Sequence, residues 1–117
     1  MVELAYLFGS RVSGDVGPLS DYDIAIYTQD MSVEDLTDLR LQLAGELSRL
    51  LSTDAIDLVV LNNSDVPALN YSIIVGGKLL FDRSNIRMLV EPKILNEYFD
   101  LQMHHQIHGL TSIGATI

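Results

Sequence analysis

Residues 7–14 read LFGSRVSG and residues 19–24 read LSDYDI, and these two stretches decide the fold. The apolar and aromatic run at residues 2–8 (VELAYLF) leads into the first stretch and predicts a strand that ends at a glycine. The second stretch begins residues 21–27 (DYDIAIY), which predict another strand. Residues 11–20 contain two glycines and a proline, so we predict a loop there. A glycine turn and two acidic residues thus lie at strand ends.

The rest of the chain alternates helical and strand patterns. The predicted elements are helices at residues 32–51, 65–75 and 85–108, and strands at residues 55–61 and 78–81. Ser32 and Asp35 resemble a capping box, and the leucines that follow recur at helical spacing, so we expect this leucine stripe to be core. Pro92 either kinks the last helix or divides it in two.

This order of elements predicts an α/β (α+β) fold with a short mixed sheet covered by helices. We predict one domain over residues 1–108 and a flexible tail at residues 109–117, which are small and polar. No glycine-rich dinucleotide fingerprint follows the first strand, which disfavours a Rossmann fold.

Composition and net charge limit the binding partners and the cellular compartment that we expect for this protein. Sixteen acidic and seven basic residues give a formal net charge of -9, which disfavours direct nucleic-acid binding. No apolar run approaches the length of a membrane span, and the absence of cysteine fits a reducing compartment. We therefore expect a cytoplasmic protein with no membrane association.

The Gly9-Ser10 turn is a candidate phosphate-binding feature. Gly9 has no side chain, so a ligand can approach its backbone closely, and the N–H groups of such a turn form a concave anion site. The Ser10 hydroxyl adds a donor. By itself, a Gly-Ser pair is more often an ordinary turn.

Three aspartates carry more information than the turn. Asp21 and Asp23 are two apart in a strand and point to one face, where oxygen ligands suit Mg²⁺. The alternative is that Asp21 belongs to a turn with Ser20 and that Asp23 is solvated. Asp57 lies on the next predicted strand, and if the two strands are neighbours, the three carboxylates can meet in a two-metal site.

These residues resemble the signature of the polymerase-β-like nucleotidyltransferases, and most closely their minimal (MNT) branch, whose members accompany HEPN partners. Residues 77–81 and 97–100 are also similar to that branch, so the resemblance spans about residues 4–101. It implies the polymerase-β-like nucleotidyltransferase fold. It also implies roles that follow the family motif: nucleotide binding by Gly9, Ser10 and Arg11, and metal binding and catalysis by Asp21, Asp23 and Asp57.

The resemblance further implies two Mg²⁺ ions and ATP as the substrate. The expected function is that of a type VII-like MNT antitoxin, which transfers AMP from ATP to a tyrosine of a HEPN ribonuclease toxin. A hetero-oligomer with that toxin is expected, and a homodimer is possible. The alternatives are an antitoxin that neutralises its toxin by binding only, and a nucleotidyltransferase that modifies a small molecule such as an antibiotic.

The chain departs from the family pattern at two places. Val12 and Ser13 replace the Ala-Arg pair of many relatives, so Arg11 must substitute for that arginine in triphosphate binding, or affinity falls. The helix that usually precedes the first strand is missing, so we expect one sheet face to be uncovered until a partner or a second copy covers it.

Three histidines lie near the end of the last helix. His104 and His108 are four residues apart, a spacing that can bind Zn²⁺, and His105 lies between them. No glutamate completes a His-Glu-x-x-His motif. We therefore favour a solvated or partner-facing helix end.

Overall fold

A four-stranded mixed sheet forms the centre of the computed structural model. The sheet has the order β3-β2-β1-β4, with β1 antiparallel to both of its neighbours and β2 parallel to β3. The strands are β1 (Val2–Phe8), β2 (Tyr22–Thr28), β3 (Ile56–Val60) and β4 (Lys78–Asp82). Each of the four predicted strands is confirmed to within one residue at either end.

The structure describes residues 1–14, 21–63 and 66–116, and it describes only the backbone of Ser13, Asn63 and residues 108–116. Four α-helices lie within these ranges: α1 (Ser10–Ser13), α2 (Val33–Leu51), α3 (Pro67–Gly76) and α4 (Arg87–Thr116); a short 3₁₀ helix covers Leu61–Asn63. None of them is long and apolar enough to cross a lipid bilayer.

The side chains along each strand alternate between the two faces of the sheet, and a layer of helices packs on each face. One face packs against α3 and α4, and its buried side chains include Leu4, Tyr6 and Ile73. The other face packs against α2 and includes Ile26 and Leu58. Burying one such aliphatic side chain stabilises the fold by roughly 1.5–3 kcal/mol.

The expectation of an uncovered sheet face is wrong for β2 and β3, because α2 crosses between these two parallel strands and packs on them. On β4, in contrast, the side chains of Leu80 and Phe81 remain 50% and 45% exposed. Among the large hydrophobic side chains of the four described strands, these two are the exposed ones.

Helix α2 begins as its sequence predicts, because Ser32 Oγ accepts a hydrogen bond of 3.1 Å from the backbone N–H of Asp35. The leucine stripe is only partly core. Leu36 is buried and Leu43 and Leu47 pack against the same core, whereas Leu50 and Leu51 are 79% and 36% exposed. The prediction that the whole stripe is core is therefore wrong at its C-terminal end.

Two other sequence predictions differ from the structure. Residues 10–13 form the short helix α1, whereas the sequence predicted a loop from residue 11; the rest of that stretch, residues 15–20, lies outside the described residues. Pro92 does not divide the last helix, since α4 continues through it at the cost of one backbone hydrogen bond.

The C-terminal end of α4 also differs from the sequence prediction. Its backbone is helical as far as Thr116, through the segment for which the sequence predicted a loose tail. The division into a domain at residues 1–108 and a flexible tail remains a prediction. At the other end of α4, the Asp82 carboxylate accepts a hydrogen bond of 3.2 Å from the first N–H, that of Arg87.

Candidate active site

Two of the predicted site carboxylates lie side by side on the sheet. Asp23 of β2 and Asp57 of β3 are register partners in the parallel ladder, and the N–H of Tyr22 donates to the carbonyl of Ala55 at 2.8 Å just before them. The sequence left open whether these two strands are neighbours, and in the structure they are. Neighbouring strands lie about 4.8 Å apart, so two carboxylates at this register can share a cation.

The glycine turn borders the same carboxylate. Phe8, the last residue of β1, pairs with Asp23, and Gly9 follows with φ of 77°. A Cβ at Gly9 would collide with Oδ2 of Asp23, so two independent constraints require glycine here: the positive φ and the close carboxylate. The turn and the acidic cluster therefore form one continuous site.

The surroundings of Asp23 disfavour the charged form of its carboxylate. Partial burial raises the pKa of Asp23 above its ordinary value, and the nearby carboxylates of Asp57 and then Asp21 raise this pKa further. Both effects disfavour the charged form. Asp21 is exposed just before β2 begins, and Asp57 is exposed on the edge strand. A cation at this position would relieve the repulsion among the three.

Arg11 lies in α1, directly after the Gly-Ser turn. Its guanidinium carbon is 3.8 Å from the centre of the Tyr22 ring, a cation–π distance. Tyr22 stands between Asp21 and Asp23, so this contact joins the glycine turn to the acidic strand. Tyr22 was not among the site residues predicted from the sequence. Its position between two acidic residues was the one feature of the sequence that could have indicated it.

The resemblance implies Mg²⁺ ions, and the carboxylate oxygens of the site are ligands of the kind that Mg²⁺ prefers. Among the described side chains, no three acidic or histidine groups are gathered to ligate one ion together. Mg²⁺ is usually held by one or two carboxylates together with substrate phosphates, so a three-residue cluster is not required. Asp23 and Asp57 have the appropriate chemistry and adjacency, and Asp21 lies close enough to affect Asp23.

An apolar cavity of about 360 Å³ adjoins the turn, between the end of β1 and α3. Phe8, Val12 and Ile73 form its walls, together with backbone of Gly9 and Gly77. Val12 is one of the two residues that depart from the family pattern, and its side chain lines this surface next to the glycine turn. No pattern in the sequence predicts this cavity.

His104 and His105 are exposed on α4, with ring centres 6.5 Å apart, and the side chain of His108 lies outside the described residues. A zinc pair of His104 and His108 therefore remains untested. Ser20, the proposed turn partner of Asp21, is also outside the described residues.

A short mixed sheet that presents a glycine turn against adjacent strand carboxylates defines a protein of the nucleotidyltransferase class. The comparison with family patterns agrees, because the family described as "Polymerase beta, Nucleotidyltransferase" matches residues 1–86. The chain belongs to this family. No curated protein matches it significantly.

Solved structures give a finer likeness. The chain is similar to a toxin–antitoxin complex solved with AMP-PNP, at 29% identity and a TM-score of 0.74, over 96% of this chain and 86% of the other. It is similar at 27% identity to a chain of the MntA-HepT toxin–antitoxin, over 96% and 84% of the two chains, with a TM-score of 0.66. A third similar structure is that of a tri-AMPylated HEPN toxin from Shewanella oneidensis in complex with its MNT antitoxin. That likeness has 27% identity and a TM-score of 0.66, over 96% and 83% of the two chains.

Proposed function

We propose that this chain is an MNT antitoxin that transfers AMP from ATP to a tyrosine of a HEPN ribonuclease toxin, with Mg²⁺ as the cofactor. The observation that carries the proposal is the register of Asp23 with Asp57 beside the Gly9 turn. This arrangement offers a phosphate-binding backbone and adjacent metal-binding oxygens in one place. Solved relatives contain AMP-PNP in one case and a tri-AMPylated HEPN toxin in another, which supports ATP as the donor and a toxin as the acceptor.

The proposed reaction is a substitution at the α-phosphorus of ATP. The acceptor oxygen forms a bond to this phosphorus, the bond from the α-phosphorus to the bridging oxygen breaks, and pyrophosphate leaves with the electron pair. Asp57 accepts the proton of the acceptor hydroxyl. Asp23, Asp57 and Asp21 would hold Mg²⁺, which would supply charge neutralisation around the phosphates.

The other residues of the site bind and orient the nucleotide. Gly9 lets the phosphates approach the backbone, and the Ser10 hydroxyl donates to a phosphate oxygen. Arg11 adds positive charge, held in place by the ring of Tyr22. Because catalysis of phosphoryl transfer consists mainly of positioning and electrostatic stabilisation, these few residues suffice in principle.

The direct test is transfer of label from α-³²P-ATP to the product of the neighbouring gene, in the presence of Mg²⁺. Wild type is compared with Asp23→Asn and with Asp38→Asn, a matched control whose carboxylate is exposed on α2. We expect label and a mass increase of one or more AMP units on the toxin with wild type and with the control, and neither with Asp23→Asn.

A binding-only antitoxin would behave differently. It would neutralise the toxin in growth assays with wild type and with Asp23→Asn alike, and it would leave no label on the toxin. That result would overturn the catalytic proposal while leaving the antitoxin assignment in place. Label on a free small molecule, with none on the toxin, would instead favour a small-molecule nucleotidyltransferase.

A further inference from the structure

A second cavity lies on the same sheet face as the acidic cluster but at its other end. It has a volume of about 390 Å³ and lies between α3, α4 and the end of β2, where Tyr27 contributes to its lining. Tyr27 is four residues after Asp23, which places the two Cα atoms about 13 Å apart along the strand. The cavity is therefore separate from the proposed nucleotide site.

A buried amide without a hydrogen-bond partner lines this cavity. Asn70, in the first turns of α3, is only 2% exposed, and its Oδ1 accepts no hydrogen bond from the described residues. Buried polar groups in proteins nearly always have a partner, and an exception calls for an explanation. The oxygen and nitrogen of an amide exchange places on rotation, so Asn70 can present either to an occupant of the cavity.

Two opposite charges at the open side of the cavity are also available. Lys93 and Glu97 line it from one face of α4, four residues apart, yet within the described chain neither forms an ion pair. Arg87 and Glu91, which have the same spacing and the same order of charges on the same helix, pair at 2.9 Å. The spacing therefore permits an ion pair, and its absence leaves both charges available to an occupant of the cavity.

The floor of the cavity is apolar. Leu61 and Ile94 are buried, and both line it, so a ligand would rest on aliphatic surface while its polar groups meet Asn70, Lys93 and Glu97. An occupant with a single charge would be attracted by one of the two charged side chains and repelled by the other. A molecule that carries both an ammonium and a carboxylate, together with an apolar group, satisfies all of these features.

We propose that this cavity is a binding site for a small zwitterion of the α-amino-acid class with an apolar side chain. The ligand carboxylate pairs with Lys93, its ammonium pairs with Glu97, and one of its polar groups hydrogen-bonds the Asn70 amide. Its side chain lies on Leu61 and Ile94. This proposal does not depend on nucleotidyl transfer, because the site shares no residue with the acidic cluster.

The test is an NMR titration of the full chain with L-leucine, read at the side-chain amide of Asn70 and at the backbone amides of Lys93 and Glu97. For so small a ligand we expect saturable shifts with a Kd on the order of 1 mM. N-acetyl-L-leucine lacks the ammonium and L-leucinamide lacks the carboxylate. Each is expected to bind at least about tenfold more weakly, since one charge-assisted contact is lost.

Variants separate the proposed contacts from general charge effects. Lys93→Gln and Glu97→Gln change exposed residues and should leave the fold intact, while weakening L-leucine binding by about tenfold. Lys78→Gln, which removes the same charge from an exposed position on β4, is the matched control and should bind as wild type does.

Three results would overturn the proposal. The first is the absence of saturable shifts with L-leucine, which would mean that the cavity holds only water. The second is equal binding of L-leucine and its two blocked derivatives. The third is unchanged affinity in both the Lys93→Gln and Glu97→Gln variants.

Discussion

Asp23 and Asp57 are register partners on the parallel strands β2 and β3, and the carboxylate of Asp23 also touches the space that a side chain at Gly9 would need. Without a cation this arrangement is unfavourable, since like charges face each other near a partly buried position. The fold therefore maintains a cluster of mutually repelling carboxylates. The energetic consequences of that cluster can be measured without any assay of catalysis.

Asp23→Asn is expected to stabilise the protein in the absence of metal. The substitution keeps the shape of the side chain and removes the repulsion from Asp57 and Asp21, so the melting temperature at pH 7 should rise by about 2–5 °C. Addition of Mg²⁺ should raise the melting temperature of wild type by mass action and leave that of Asp23→Asn unchanged. Differential scanning calorimetry with and without Mg²⁺ measures both effects.

The difference in stability between Asp23→Asn and wild type is expected to depend on pH. The pKa of Asp23 is raised in the folded state, so this group's contribution to stability is fully present below its unfolded pKa of about 3.9 and is lost as pH rises through the folded pKa. The advantage of Asp23→Asn over wild type should therefore be largest near neutral pH and vanish near pH 3.5. An advantage that is constant over this range would contradict the assignment, and Asp38→Asn serves as the control.

Gly9→Ala is expected to damage both stability and nucleotide binding. The alanine must adopt the positive φ of Gly9, and its Cβ would collide with the Asp23 carboxylate. We therefore expect a loss of about 1–3 kcal/mol in the free energy of unfolding. Denaturant melts and binding of AMP-PNP by calorimetry measure the two effects.

A second glycine supplies the matched control. Gly45 lies on the exposed side of α2, and a Cβ there meets nothing within 4 Å, so Gly45→Ala should increase stability by up to about 1 kcal/mol through helix propensity. If both variants changed stability in the same direction, the steric account of Gly9 would be wrong.

Much of the fold could be predicted because its signals are local. The bounds of β1 depend on a run of apolar residues, and the start of α2 depends on Ser32 and a neighbour three positions away. The adjacency of Asp23 and Asp57 was predicted only conditionally, since strand order is set by packing over the whole chain. The family resemblance supplied the roles of the site residues, which no local pattern specifies.

Other features could not be predicted because they join distant parts of the chain. Arg11 and Tyr22 are eleven positions apart in the sequence, and the buried amide of Asn70 has no sequence signature at all. Helix α1 was missed because four residues between two glycines resemble a loop. The exposed end of the leucine stripe was missed because periodicity reports which residues share a helix face, and it does not report where the partner sheet ends.

Tyr22→Leu is expected to weaken ATP binding, whereas Tyr22→Phe is expected to preserve it. The phenyl ring keeps the face on which Arg11 rests, while leucine removes the cation–π contact of roughly 0.5–1 kcal/mol. A two- to fivefold increase in the Kd for AMP-PNP should follow in the leucine variant, if Arg11 contacts the phosphates. Arg11→Met should produce an effect at least as large. Equal affinity for AMP-PNP in Tyr22→Leu and Tyr22→Phe would show that the Tyr22 ring does not contribute to nucleotide binding.

Tyr6→Phe tests the hydrogen bond that fastens α4 to the sheet. The hydroxyl of Tyr6, buried on β1, donates to Oε2 of Glu91 at 2.5 Å, and the same oxygen accepts from Nε of Arg87 at 2.9 Å. Removing a hydrogen bond to a charged acceptor should lower the free energy of unfolding by about 1–2 kcal/mol. Tyr98→Phe, whose hydroxyl only accepts from an exposed Gln102, should change it little.

Alkaline pH provides an independent check of the same bond. Burial raises the pKa of Tyr6 first, and the hydrogen bond and negative charge of Glu91 raise it further. The stability contributed by the protonated hydroxyl is thus fully present below the unfolded pKa of about 10 and is lost as pH rises through the folded value, which lies higher still. Wild type should therefore lose stability more steeply than Tyr6→Phe above about pH 10. Parallel unfolding curves for the two proteins across that range would mean that the hydroxyl of Tyr6 does not hold α4 in place.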